Sequence, residues 1–399
     1  MNYKRLGDYI IEKVEFNEGN KYDLLQGVSN NKYFQKAKTN TIGVDLSKYR
    51  VAHHNQFVFN RATTRNGDKI SIALRKGESC IVSPSYRIFE VKDENVLNPD
   101  YLLMWFKRPE FDRYARFKSH GSAHEFFDMD EMNDVELPVP SIEKQREIVA
   151  QYQAVANKIK VNEQICEKLE ATAQTLYKQW FVDFEFPNEE GQPYKSSGGA
   201  MVYNEELEKE IPEGWEVKSF TDTIKLTGGG TPSTDVQEYW NGTIPFFTPA
   251  DIQKSYYSIE TIKSITELGL KESSTKLYPK DTVFITARGT VGAIGLSSRD
   301  MAMNQSCYAI KNNLPYYTHQ KTLDVIEKLK GEAVGAVFSA LVTKDFEQQI
   351  ILEPNESIKL NFNNSIKYLY DLLLSKSQEN QKLTQLQSLL LSRLATLEG

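Results

Sequence analysis

The sequence predicts an α+β protein, two mixed α/β globular segments in tandem pseudo-repeat, each followed by one long helix, with the two helices paired. Three observations predict it. Residues 142–183 carry a heptad seam, a seam of the same phase recurs 214 residues later, and short strand-like runs and turns precede both helices in the same order.

The first seam is Ile148, Tyr152, Val155, Ile159, Asn162, Cys166, Leu169, Ala173, Leu176 and Trp180, stepping by four and three. No Pro or Gly interrupts it, and good helix formers fill the gaps. At ~1.5 Å per residue this is a rod of roughly 60 Å, too exposed to be stable without a partner. The partner is the second seam: Phe362, Ile366, Leu369, Leu373, Lys376, Asn380, Leu383, Gln387, Leu390 and Leu394. The offset continues upstream, where Pro140 matches Pro354.

In chain order, residues 1–141 form the first globular domain. VEFNE and KYDLLQGVS read as early strands, and QFVFNRATTRNGDKISIAL as a hairpin turning at Asn66-Gly67. CIVSPSYRIFEV reads as a strand pair around Pro84. NPDYLLMWFKRPEFDRYARF reads as helix, capped by Asn98 or Asp100 and broken by Pro109. Ser141 caps the long helix of residues 142–183. Residues 184–212, rich in Pro, Gly, Ser and Glu, form a connector. Residues 213–353 form the second domain, in which VFITARGTVG matches VFNRATTRNG and AMNQSCYAI matches SPSYRIF. Residues 354–399 are the closing helix.

Composition excludes several classes. No run approaches the ~20 apolar residues that span a membrane, and MNYKRLGDYI lacks a signal-peptide core. Cys80, Cys166 and Cys307 show neither disulfide nor zinc spacing, which suits a reducing cytoplasm. His120 and His124 have helical spacing but Gly121 and Ser122 intervene, so no metal site is expected. There is no GxxxxGK[ST], GxSxG or HExxH, and Gly228-Gly229-Gly230 reads as a turn. Asn98-Pro99-Asp100-Tyr101 departs from a base-gripping methyltransferase motif and reads as a helix cap. Net charge is −6, yet residues 48–76 set seven basic side chains against Asp68 alone.

LPVPSIEKQREIV leading the long helix, QTLYKQWFVDFEFP ending it, IPEGWEV opening the second domain, and GGGTPST with YWNGTIPFFTPADI within it resemble the specificity subunit of Type I restriction–modification enzymes. The resemblance covers essentially the whole chain. The second repeat departs from it, having LEPNESIKLNF where the first has PVPSIEKQREIV. The resemblance implies two target-recognition domains, each reading half of a bipartite double-stranded DNA sequence. It also implies two long coiled-coil helices packed antiparallel as a ruler. Two modification (methyltransferase) and two restriction (translocase and nuclease) subunits would join the chain, docking at Gln145, Arg146, Trp180 and Phe181. S-adenosylmethionine, ATP and Mg2+ would serve those partners, this chain being non-catalytic. Pseudo-two-fold pairing of the seams would put Asn162 beside Asn380.

Arg suits guanine, Asn and Gln suit adenine, and Ser and Thr suit several bases. Two loops per domain carry that chemistry. The expected readers are Asn60, Arg61, Thr63, Thr64 and Arg65 with Ser83, Ser85 and Tyr86 in the first domain. In the second they are Thr231, Ser233, Arg288 and Thr290 with Asn304, Gln305 and Ser306. Lys69, Arg75, Lys76, Lys276 and Lys280 would hold phosphates. The alternative is a coiled-coil scaffold that never touches DNA, which salt-dependent binding to a defined duplex would separate.

Overall fold

The computed structural model describes residues 3–37, 43–62, 69–119, 125–332 and 340–396. The Asn66-Gly67 turn and the His120–His124 pair lie outside the described residues. The chain forms two compact units, Met1–Lys158 with Leu383–Gly399, and Ile159–Lys382.

In the first unit, Tyr3–Arg5 pairs antiparallel with Glu136–Pro138. Four antiparallel strands lie in the order Ile10–Glu12, Tyr86–Val91, Phe57–Asn60, Ile72–Leu74. Phe57 and Phe59 face one layer with Phe89, while Val58 faces the other with Ile88. Both faces are covered, so the strand is a continuous apolar run rather than an alternating one. Phe57 and Phe89 stack at 4.9 Å, and Phe106 meets Phe57 edge-on at 5.5 Å. Smaller pairs join Gln26–Val28 to Phe34–Lys36 and Arg50–Ala52 to Cys80–Val82.

Two strand expectations are corrected. CIVSPSYRIFEV is not a hairpin, because the turn that closes with Tyr86 N donating to Ser83 O (3.0 Å) sends its two strands into different sheets. KYDLLQGVS does hold a strand, Gln26–Val28, but VEFNE does not: the strand there ends earlier, at Ile10–Glu12, and within VEFNE Phe16 makes an isolated bridge to Arg50. The helical reading holds: Asn98 Oδ1 accepts from Asp100 N (2.8 Å) and Tyr101 N (3.2 Å), capping helix Pro99–Phe106. Pro109 then opens a second helix, Pro109–Lys118.

The second unit repeats this plan. Glu216–Ser219 pairs antiparallel with Ile350–Glu353. Its five-stranded sheet runs Leu226–Gly228, Cys307–Ile310, Val283–Thr286, Ile294–Ser297, Tyr257–Ser258. The first four match the four strands of the first unit in order and direction. A three-stranded sheet of Lys263–Ile265, Trp240–Phe247 and Ala302–Met303 is an addition. The segment after the first long helix is folded rather than a bare tether. Phe184 and Phe186 are buried on Trp215, and Met201–Asn204 forms a hairpin with Lys209–Pro212.

The first long helix is Ile142–Phe181 and the second Glu356–Arg393. Within the second unit they pack antiparallel. Asn162 Nδ2 donates to Asn380 Oδ1 at 2.9 Å, and Trp180, eighteen residues later, meets Phe362, eighteen residues earlier, at 5.3 Å. Asn380 Nδ2 donates on to Ile159 O (3.3 Å), while Asn162 is fully buried and its Oδ1 has no partner among the described residues. The predicted polar layer is thus present. The second helix also buries a face the heptad does not mark. Tyr370 is fully buried and its hydroxyl meets His319 Nδ1 (2.8 Å) and Gln320 Nε2 (2.7 Å). Within the first unit, Ile148, Val149 and Tyr152 share a core with Leu394. Among the described residues, no helix is long and apolar enough to cross a membrane.

Candidate nucleic-acid interface

In the first unit the antiparallel register sets Asn60 opposite Tyr86 and Phe59 opposite Arg87. The end of one strand, Asn60–Arg61, therefore meets the turn that begins the other, Ser83–Tyr86. Asn60 Oδ1 accepts from Ala62 N at 3.1 Å, an Asx turn that lifts the chain off the sheet. Ser85 is exposed and Ser83 half-buried, with hydroxyls 3.1 Å apart. Arg61 stacks over Phe126 (4.8 Å) and donates through Nη1 to Asp128 Oδ2 (3.1 Å). Asp128 is also gripped by Arg87, whose Nε and Nη2 reach its two oxygens at 2.6 and 2.9 Å. Burial alone would raise the Asp128 carboxyl. Hydrogen bonds from Arg87, Met129 N and Arg61 outweigh it and hold the carboxyl below the usual range. Thr63, Thr64 and Arg65 lie outside the described residues.

In the second unit four segments converge. The turn Asn304–Cys307, in which Asn304 Oδ1 accepts from Ser306 N (3.1 Å), is fastened to the Arg288 loop by Ala287 N donating to Ser306 O (2.8 Å). Thr290 Oγ1 reaches Pro249 O at 3.3 Å, bringing in the segment after Phe247. Gly229 and Gly230 press against the same turn. A Cβ on Gly229 would overlap the Asn304 carbonyl and stand 2.6 Å from Met303 O; one on Gly230 would stand 2.6 Å from Thr275 N. This approach lets the Thr231 hydroxyl donate to Gln305 Oε1, while Trp240 Nε1 holds Ser233 O at 3.0 Å. Arg288, Thr290, Gln305 and Ser233 are exposed along this edge. Lys276 follows Thr275, beside Gly230, and is exposed there.

The edges occupy the same place in the repeat. Phe59 faces Arg87 as Ile285 faces Tyr308. Arg61 O accepts from Phe127 N at 2.9 Å, as Ala287 O accepts from Leu341 N at 2.9 Å. The trio Arg61, Arg87, Asp128 therefore stands where the second unit has Ala287, Tyr308, Val342.

Several expected residues lie elsewhere. Arg75 is buried and spent internally: Nε donates to Glu78 O (2.6 Å), Nη1 to Gln26 Oε1 (2.5 Å), and the guanidinium covers Phe34 at 5.3 Å. Lys280 precedes Val283–Thr286 while Arg288 follows it, so Lys280 is at the far end of that strand. Lys76 pairs with Asn55 and Asp100, both at 2.8 Å, and Lys69 is exposed. Of the docking residues, Arg146 is exposed and Trp180 half-buried. Gln145 is 0% exposed, its amide donating to Val96 O and Pro140 O and accepting from Asn98 N. Phe181 is buried among Tyr317, Trp215 and Phe362. Each is thus committed to contacts within its own unit rather than displayed on the surface.

Sequence reading missed Arg87 and Asp128. Asp128 and Glu131 form a capping box, legible as Asp-x-x-Glu, but nothing local reveals the arginines that the carboxylate gathers.

A family model described as Type I restriction modification DNA specificity domain matches residues 3–171 and again 212–385. Over 373 residues the chain is 23% identical to the Type I restriction enzyme HindI specificity subunit of Haemophilus influenzae, covering 79% of this chain and 81% of that one. Over 310 residues it is 29% identical to the Type I restriction enzyme MjaIX specificity subunit of Methanocaldococcus jannaschii, covering 74% and 68%. The crystal structure of a Type I restriction-modification system S subunit from M. genitalium shares the fold, with TM-score 0.59 and 13% identity over 100% of this chain and 96% of that one.

Proposed function

The chain belongs to the DNA specificity family of Type I restriction–modification systems, and from that premise we propose that it reads a bipartite double-stranded target, one half with each polar edge. Family membership gives it a role in DNA target specificity. The finer reading rests on one observation: two exposed edges of base-reading chemistry stand at the same strand ends of a repeated sheet. The readers are Asn60, Arg61, Ser83 and Ser85 in one half, and Ser233, Arg288, Thr290, Asn304 and Gln305 in the other. Lys69 and Lys276 serve phosphates.

Two modification and two restriction subunits take their target from this chain. They use S-adenosylmethionine for adenine methylation and ATP with Mg2+ for restriction. Arg146 contributes to their docking, and the paired helices set the unread gap between the half-sites. A map of methylated adenines with and without the gene tests the reading. A split motif that disappears with the gene is expected; an unchanged map overturns it.

A further inference from the structure

Asp128 is shared by two arginines of unequal grip. Arg87 holds both carboxylate oxygens at 2.6 and 2.9 Å in a fork, whereas Arg61 holds one at 3.1 Å. The Arg87 side chain is 21% exposed and that of Arg61 36%. Beyond Arg87, Glu12 Oε1 lies 3.9 Å from its Nε and 3.7 Å from Arg50 Nη1. Arg50 is buried, and among the described residues its Nε and Nη1 find no hydrogen-bond acceptor. Charges thus alternate in a row, Arg50, Glu12, Arg87, Asp128, Arg61, with three cations for two anions. Unmet guanidinium N–H groups at one end show that the row is short of negative charge.

Such a row releases its outer, more accessible terminal cation at low cost. If Arg61 leaves, Asp128 keeps both bonds from Arg87 and still accepts from Met129 N at 2.9 Å, so no bare carboxylate is left behind. Without Arg87, Arg61 would be Asp128's remaining guanidinium and would be held in place.

We propose that Arg87 is a positioning residue: by satisfying Asp128 it frees Arg61 to exchange a carboxylate for an acceptor on duplex DNA, either guanine O6/N7 or phosphate oxygens. This rests on the reading of the edge as DNA-binding. It belongs to the first half alone, since Ala287, Tyr308 and Val342 occupy the matching positions.

The test uses the full chain and the duplex that the wild type selects from a random-sequence pool. Failure of the wild type to select any duplex overturns the DNA reading itself. Otherwise Arg87→Gln should weaken binding roughly tenfold, and Asp128→Asn in that background should restore most of the loss. A phosphate acceptor predicts that the salt slope of Arg87→Gln falls by about one and recovers in the double variant. A guanine acceptor predicts lost preference at one base pair with little change of slope. Wild-type affinity in Arg87→Gln, or a double variant as weak as the single one, overturns the proposal. Should Arg87→Gln fail to fold, Arg87→Lys keeps one bond, and a loss that Asp128→Asn does not relieve overturns it equally.

Discussion

The two candidate edges sit on the same four strands in the same order, yet one is fastened by ion pairs and the other by close contacts and hydrogen bonds between loops. In the first unit, Arg61, Arg87 and Asp128 draw the edge together by ion pairs. In the second, Ala287, Tyr308 and Val342 leave no charge there, and Gly229 and Gly230 allow backbones to close instead. The sheet thus fixes where an edge stands and is indifferent to what holds it. One scaffold can carry two unlike edges by a change of chemistry at its strand ends alone.

The largest expected difference between the units lies beneath the edges. Lys32 and Asp112 form a buried pair at 2.5 Å, and Lys32 Nζ also meets Ile70 O. The second unit instead places Glu353 between Lys321 (2.7 Å) and Lys359 (2.5 Å). Lys32→Met abandons a buried carboxylate and should cost about 3–5 kcal/mol in urea unfolding. Lys321→Met leaves Glu353 paired with Lys359 and should cost distinctly less. Equal losses would break this contrast.

Acid should next separate the units. Leu103 and His319 are each the fifth residue of a helix opening on proline. Burial holds His319 down at about 3. Below about pH 6.5 the unfolded chain takes up a proton that the folded one refuses, so stability falls as pH falls, by about 1.4 kcal/mol per pH unit. Amide protection, taken relative to the intrinsic exchange rate at each pH, should therefore fall from pH 6.5 to 5 more in Val283–Thr286 than in Phe57–Asn60. His319→Gln should remove the difference.

On the edges themselves, Arg61→Ala and Arg288→Ala should each cost about 1–3 kcal/mol of binding and relax one base pair in its own half-site. Relaxation in both halves from a single substitution would sink the assignment of one edge to each half. The smallest effect concerns the helix pair: Asn162→Leu with Asn380→Leu removes a buried, incompletely satisfied amide pair and should raise stability by about 1 kcal/mol, read as melting temperature. A fall would refute it.

The two helices were legible because heptad spacing is a local signal and the repeat supplies the partner; their antiparallel pairing, and with it the Asn162–Asn380 layer, was implied by the family resemblance. The capped helix at Asn98 was legible for the same reason. Sequence could not tell Arg75 from Arg61, since a basic run does not say which guanidinium a strand turns inward onto Gln26 and Phe34. Gln145 reads as a surface motif beside Arg146, yet the helix start at Asn98 needs its amide. The Arg61–Asp128–Arg87 cluster joins residues 41 and 67 positions apart, beyond any periodicity.

The closeness of Gly229 and Gly230 to the Asn304 turn and Thr275 has one more consequence. A side chain at Gly229 would meet backbone alone, and one at Gly230 would meet the Ser274 hydroxyl together with the Ser274–Thr275 backbone. The two loops are therefore bound to change together: a recombination that carries residues 226–310 as one cassette keeps the fit, whereas a crossover between 230 and 303 joins surfaces never tried against each other.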